Sequence, residues 1–223
     1  MISEVYNCDC LEYMRSLPDK FFDLCIADPP YGINFGTYNR TIIKRGERVK
    51  ANRYKNAEWD TNIPIDEIFE EIFRVSKMQI IWGGNYFPLP PTKEFIFWYK
   101  HQPVKNFADG ELAWTSFTGV AKCFDYPYFG NINSEKLRIH PTQKPIALYS
   151  WLLDNYAKGG GKIFDPFLGS GSSRIAAYKK GYDFYGCELD KDYYEAQEVR
   201  FRRECLGEIT TPQGITIINQ TLF

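Results

Sequence analysis

Histidine is scarce in this chain, with two among 223 residues, and the six cysteines (Cys8, Cys10, Cys25, Cys123, Cys187 and Cys205) form no Cys-x-x-Cys pair. A zinc site has little to draw on, so no metal is expected. Cys8, Cys25 and Cys187 fall in apolar runs and read as small core residues, and reduced thiols are expected. No apolar run reaches the length of a membrane span; the longest are strand-sized. Met1-Ile2-Ser3-Glu4 has neither a basic nor an apolar leader region, so no secretory signal is expected, and a cytoplasmic location without a membrane partner is the default. Net charge is also lacking, at −1, which argues against bulk basicity as a way of holding a polyanion. Repeats, low-complexity stretches and heptads are absent.

What is present is the composition of a soluble globular protein, 44% hydrophobic and 25% charged, at a length that suits one domain over 1–223. Its charge is unevenly spread. Arg40, Lys44, Arg45, Arg48, Lys50, Arg53 and Lys55 face one acid, Glu47, so that segment carries +6 and the remainder −7. A basic patch on an acidic body suits contact with a phosphate backbone; a solvated loop without function is the plainer reading.

Strand and helix patterns alternate. Glu4–Cys8 reads as a strand and Asp9–Leu17 as a helix; Phe22–Ala27 is an apolar run of strand length stopped by Asp28-Pro29-Pro30. Residues 32–62 are polar, basic and irregular, and are expected to form a long mobile loop. Pro64–Lys77 has helical spacing, with Asp66, Glu67 and Glu70 near its start. Met78–Trp82, Phe95–Tyr99 and Glu111–Thr115 read as strands, and Ser116–Ile139 shows no period. Pro145–Tyr156 (helix), Lys162–Phe167 (strand), Gly171–Lys180 (helix), Asp183–Leu189 (strand) and Asp192–Leu206 (helix) complete the series. This alternation indicates an α/β fold with a mainly parallel sheet and helices on both faces. In open sheets of this kind, ligands bind at the carboxyl ends of the strands.

Two strand ends carry unusual residues. At the first, Asp28-Pro29-Pro30-Tyr31, consecutive prolines make a stiff arch whose carbonyls cannot be drawn into a helix. Asp28 adds a carboxylate and Tyr31 a flat ring. Such acceptors suit an aromatic amine, whose nitrogen is a poor nucleophile because its lone pair is delocalised into the ring. Gripping both N–H groups aims that lone pair at an electrophile. Stacking of a base on Tyr31 would add roughly 1–3 kcal/mol. The blander reading is an ordinary turn after a buried strand.

At the second, Phe164-Asp165-Pro166-Phe167-Leu168-Gly169-Ser170-Gly171-Ser172 leads from a strand through two glycines into a helix, and Glu188 ends the next strand nineteen residues after Gly169. Glycines allow close backbone approach, and a strand-end carboxylate can accept from both hydroxyls of a ribose, as at nucleoside-binding βα turns. Gly-Ser-Gly alone is a weak signal, and Arg174 stands where the third glycine of a dinucleotide fingerprint would fall, which disfavours a nicotinamide dehydrogenase.

Together and in this order, the two motifs resemble the amino-methyltransferases of DNA (N6-adenine and N4-cytosine), in the class whose catalytic motif precedes its cofactor motif. Asn7-Cys8-Asp9-Cys10-Leu11-Glu12 looks like that family's N-terminal acidic turn, and Trp82-Gly83-Gly84-Asn85-Tyr86-Phe87 and Asp109-Gly110-Glu111-Leu112-Ala113-Trp114 look like phage-type adenine methylases. His140-Pro141-Thr142-Gln143-Lys144-Pro145 matches the motif that lines the cofactor's methionine end. The likeness spans about residues 4 to 200. It implies a single-domain Rossmann-like methyltransferase fold with an antiparallel strand, S-adenosylmethionine as cofactor, and duplex DNA with a flipped adenine as substrate. Asp28 and the Pro29 carbonyl, with Pro30, would hold the amine, and Tyr31 would stack on the base. Asp9, Cys10, Asp28, Thr142, Lys144, Asp165, Phe167, Gly169, Ser170, Gly171, Ser172 and Glu188 would surround the cofactor. His140 reads as a structural hydrogen-bonder rather than a base.

One departure matters. Family members that read longer sites carry a sizeable recognition region, and here only the short stretch 100–139 is available. A short or loosely specified site is expected, with the basic loop 33–62 supplying phosphate contacts. Asn219-Gln220-Thr221-Leu222-Phe223 loosely resembles peptides that dock on bacterial sliding clamps, but lacks the usual leading Gln; a β-prone apolar tail is the plainer reading. Pairing as a homodimer is a further partner reading. Cytosine N4 methylation uses a similar arch; Asp rather than Ser at position 28 favours adenine. An RNA or protein target would use a related arch, and a nucleic-acid-binding module without activity is a reading from a different class. The setting, whether phage, host regulation or restriction–modification, stays open.

Overall fold

The computed structural model of the chain describes residues 1–33, 63–103, 107–129, 132–133, 135 and 138–208, and the backbone of 41–44, 47–50, 209–211 and 214–217. In chain order the elements are β1 (Ser3–Tyr6), α1 (Cys10–Arg15), β2 (Phe22–Ala27), β3 (Thr41–Lys44), β4 (Glu47–Lys50), α2 (Asp66–Val75), β5 (Ser76–Trp82), β6 (Phe95–Tyr99), β7 (Gly110–Thr115) and β8 (Lys122–Asp125). They continue with α3 (Ile146–Tyr156), β9 (Lys162–Asp165), α4 (Ser172–Lys179), β10 (Asp183–Cys187), α5 (Lys191–Phe201), β11 (Glu208–Thr211) and β12 (Gly214–Ile217).

Eight strands form one sheet in the order β1-β10-β9-β2-β5-β7-β6-β8. All pairings are parallel except those of β7, which runs antiparallel to both β5 and β6. The mainly parallel α/β sheet with one antiparallel strand is therefore as the sequence indicates. Alternation along the central strands divides the core between two faces. Leu24 and Ile26 of β2, Ile80 and Trp82 of β5 and Ile163 of β9 pack beneath α3 and α4. Cys25, Ala27, Ile81 and Phe164 pack on the other face with α1 and α2. Phe22 stacks on Phe164 at 4.4 Å and 7°, a contact worth about 0.5–1.5 kcal/mol beyond its burial. No helix among the described residues is long and apolar enough to cross a membrane.

Several boundaries differ from the sequence expectations. The helix expected to reach Lys77 stops at Val75, because the Ser76 hydroxyl and N–H both bond back to the Ile72 carbonyl and Ser76 then pairs with Phe22 in the sheet. Within Ser116–Ile139, β8 lies parallel to β6 with only Phe124 buried, too short a strand to show a period. The basic stretch expected as one irregular loop contains the antiparallel hairpin β3–β4. The last long helix closes at Phe201, continues as a wider turn over Arg202–Leu206, and ends on Gly207 at φ +67°. Strands expected to reach Cys8, Phe167 and Leu189 end earlier, at Tyr6, Asp165 and Cys187, where the loops that matter below begin. Cys25 and Cys187 are fully buried, whereas Cys8 is partly exposed.

Arg174, the residue in place of a third fingerprint glycine, is a structural tie. It is 4% exposed, donates to Glu198 Oε2 (2.6 Å), Gln197 Oε1 (3.1 Å) and Ser3 Oγ (3.0 Å), and lies 3.7 Å over the Phe201 ring. It thereby joins α4 to α5 and β1. Arg174→Ala should lower unfolding stability by roughly 1–3 kcal/mol, mainly through the buried acceptors it leaves unpaired, because Glu198 is partly exposed and keeps its pair with Arg202. Urea unfolding followed by circular dichroism measures this, and an unchanged midpoint would deny the tie.

Candidate active site

Five strand ends converge on the carboxyl edge of the sheet. The parallel strands β2, β5, β9, β10 and β1 deliver Asp28, Gly83, Pro166, Glu188 and Asn7 there. β7 runs the other way, so its amino end comes to the same edge: Ala113 pairs with Trp82, and the Leu112 carbonyl accepts from Gly83 N–H at 2.8 Å. The reversed strand is what places Glu111 beside the arch.

At the arch, Tyr31 hydroxyl donates to Asp28 Oδ1 at 2.9 Å. Lys144 Nζ donates to the same oxygen at 2.5 Å and to the Tyr31 oxygen at 3.2 Å, and lies 3.0 Å from Glu111 Oε2. Lys100 pairs with Glu111 Oε1. The Lys144 ammonium also sits 5.3 Å from the Trp82 ring and 5.6 Å from that of Tyr31. Two carboxylates and two ammonium groups therefore form a balanced cluster, and the Lys144 side chain is only 3% exposed. Burial pushes the Asp28 carboxyl up, with Lys144 opposing and Glu111 assisting. Burial also pushes Glu111 up, but Lys144 and Lys100 overcome it and hold that carboxyl down to about 2. Burial works against the Lys144 charge, yet the two carboxylates keep it above its ordinary range. Tyr31, raised well above its usual value by burial and Asp28, stays protonated as a donor.

Tyr31 fits because Gly83 lacks a side chain. Gly83 has φ +68°, and a Cβ there would stand 2.3 Å from the Tyr31 ring. The ring stacks on Tyr86 at 5.0 Å and 16°, and Tyr86 is 44% exposed.

On the glycine-turn side, Asp165 accepts from Phe167 N–H (3.0 Å) and Ser173 Oγ (2.5 Å). Burial raises its carboxyl to about 7 against those bonds. Gly169 and Gly171 have φ of +50° and +72°, the left-handed region that favours glycine. Glu188 Oε2 accepts from Gly169 N–H at 2.7 Å and Oε1 from Asp190 N–H at 2.9 Å, so this carboxylate braces the turn it was expected to serve. Each oxygen retains a lone pair for a hydroxyl. Asn7 bonds the Glu188 carbonyl (2.8 Å), while Asp9 caps α1 through Leu11 N–H (2.7 Å) and Cys10 is buried beneath it. Thr142 turns to His140 Nδ1, with its N–H at 3.4 Å and its hydroxyl at 3.1 Å. Burial pushes His140 down to about 3, so it is a neutral acceptor.

Ser172 joins the two sides: its hydroxyl donates to the Lys144 carbonyl at 2.7 Å and lies 3.2 Å from Ser170 Oγ. Arg200 of α5, 2% exposed, bonds the Ser170 carbonyl (2.6 Å), Ser172 Oγ (3.0 Å) and Glu135 (2.5 Å). Glu111, Lys100, Tyr86, Arg200 and Glu135 were not among the sequence candidates. An acid opening an apolar strand was the available signal for Glu111, but it reads equally as a solvated strand end. Lys44, Arg48 and Lys50 lie on the β3–β4 hairpin, described as backbone; Arg40, Arg45, Arg53, Lys55 and the terminal Gln220–Phe223 lie outside the described residues. Among the described residues, no three His, Cys, Asp or Glu side chains are grouped to hold a metal.

Comparison with known proteins agrees with this fold. The chain is 26% identical over 242 aligned residues to type II methyltransferase M2.MboI of Moraxella bovis, covering 88% of this chain and 86% of that one. Among solved structures, the M1.HpyAVI–SAM complex superposes with a TM-score of 0.56 at 21% identity, covering 90% of this chain and 98% of that one. The cytosine-N4-specific PvuII DNA methyltransferase gives 0.58 at 14% identity, covering 91% and 86%. At these identities the structural likenesses establish the fold. The sequence profile of the DNA methylase family that groups N6 and N4 enzymes matches residues 80–199, over half of the chain, taking in Glu111, Lys144, the glycine turn and Glu188. The chain belongs to the N6/N4 DNA methylase family.

Proposed function

We propose that this chain transfers a methyl group from S-adenosylmethionine to the exocyclic N6 amine of adenine in DNA, with the target base turned out of the duplex. One arrangement carries the reading. The Asp-Pro-Pro-Tyr arch and the glycine turn stand at the ends of neighbouring parallel strands, β2 and β9, and Lys144 bonds to both sides. An amine at the arch and a nucleoside cofactor at the turn would lie side by side, the requirement for direct transfer.

The cofactor supplies a methyl carbon activated by a sulfonium. Transfer would form the nitrogen–carbon bond as the carbon–sulfur bond breaks, with a proton lost from the nitrogen to solvent. The chain's own part is to orient the amine and to stabilise the positive charge that develops on it. Asp28 and the Pro29 carbonyl supply acceptors, and the fixed φ of the prolines holds them in place. An aromatic base can take the place of exposed Tyr86 against Tyr31. On the other side, Gly169, where a Cβ would stand 3.8 Å from its nearest neighbour, would admit a ligand close to the backbone, Gly171 packs on Gln197, and Glu188 would accept from a ribose. Asp at position 28, rather than Ser, supports adenine. The chain acts as one catalytic domain, with the basic stretch 33–62 on phosphates and the short 100–139 stretch reading a short site.

Incubation with labelled S-adenosylmethionine and unmethylated genomic DNA, followed by nucleoside mass spectrometry, should yield N6-methyladenine. N4-methylcytosine instead would keep the chemistry and change the base, and no methylated nucleoside would overturn the reading. Asp28→Ala should lower kcat by at least about 10²-fold while the cofactor Kd, measured by calorimetry, changes little; near-normal turnover would remove Asp28 from its role. Replacing Arg48 and Lys50 by Ala should weaken DNA binding and reduce the slope of log Kd against log salt by about 0.9 per lost phosphate contact. An unchanged slope in fluorescence anisotropy would show that the hairpin does not touch DNA.

A further inference from the structure

Lys144 offers three N–H donors, and its buried position gives it few places to aim them. One is committed to Asp28 Oδ1 and one to the Tyr31 oxygen. Glu111 Oε2 stands 3.0 Å away but is poorly aligned as an acceptor, so its hold on Lys144 is chiefly electrostatic. Asp28 Oδ1 thus takes two donors, Tyr31 and Lys144, while among the described residues none reaches Oδ2. The ammonium occupies the carboxylate much as an amine would, and only the second anion competes for it.

We propose that Glu111 is a positioning residue for methyl transfer: it shares the charge of the Lys144 ammonium, which bonds Asp28 only through Oδ1, and so keeps the other Asp28 oxygen open to the target amine. This rests on the methyl-transfer reading above. Without Glu111, the whole charge of a buried ammonium falls on Asp28, and a carboxylate so engaged is a poorer acceptor for a neutral amine. Lys100 completes the device by neutralising Glu111 from the other side, so the cluster can hold two carboxylates without net charge. Besides Lys144 and Glu111, Asp28 is faced by Tyr31 on the arch, Tyr149 on α3 and Asp165 at the end of β9.

The test compares wild type, Glu111→Gln and the double variant Lys100→Met/Glu111→Gln as full chains, with unmethylated duplex DNA and S-adenosylmethionine. Glu111→Gln should lower kcat about 10- to 100-fold, with the cofactor Kd little changed. Its acid limb in kcat against pH should move to lower pH, because Asp28 loses the neighbouring anion that raises its pKa and keeps the cation that lowers it. The double variant restores charge balance and should recover the thermal stability lost in the single variant, yet stay slow, because Lys144 still has Asp28 as its one carboxylate. A double variant with wild-type kcat would overturn the proposal and leave charge balance as the only role of Glu111. So would a Glu111→Gln enzyme with unaltered kcat and pH limb. Failure of the wild type to methylate DNA would remove the functional reading and this inference together, whereas a working wild type beside an unaffected Glu111→Gln removes this inference alone.

Discussion

The Lys144 ammonium is held where water scarcely reaches it, and it is bound to three parts of the fold at once. Through Nζ it meets the arch after β2 and the reversed strand β7; through its backbone carbonyl it meets Ser172 at the start of α4. Isolating such a charge from solvent is unfavourable unless carboxylates stand close by. The positions of Asp28 and Glu111 are therefore not independent of Lys144, and the arch, the strand order and the glycine turn must be assembled together for any of them to be tolerated.

The antiparallel strand is the fold's contribution to that assembly. In a wholly parallel sheet the edge used for chemistry receives only strand carboxyl ends, and residues at strand beginnings stay on the far side. Reversal of β7 delivers the beginning of a strand, and with it Glu111, to the working edge. The turn after β5 tightens the same corner, since Gly83 N–H reaches across to Leu112.

Much of this is legible in the sequence, and the parts that are not share a physical cause. The sheet class follows from strands alternating with helices, and both turns proposed to hold ligands follow from residues with strong local meaning: consecutive prolines at 29 and 30, and glycines at 169 and 171. Asp28 stands out because prolines follow it. Glu111 falls in a stretch that looks like phage-type adenine methylases, but its role, like that of Arg200, does not read from the sequence, because their partners Lys144 and Glu135 lie 33 and 65 residues away. Glu188 reads from its position as facing outward to a ribose, and its two bonds to backbone N–H groups come only with the folded turn. Strand β8 escapes a sequence reading because four residues with one buried position carry too little periodicity, and β3 and β4 are also only four residues each.

The close contact of Gly83 with Tyr31 has a consequence for redesign of the proposed base site. Any side chain at position 83 would collide with the ring behind it and would also have to adopt a left-handed backbone, so that wall cannot be remodelled by substitution. Tyr31 is likewise committed through its hydroxyl. Tyr86 is different: it is exposed, touches the same ring, and belongs to a short turn rather than to the sheet. An effort to admit a smaller or larger ring at this site would gain most of its freedom at position 86, and the rest of the pocket would behave as a fixed mould.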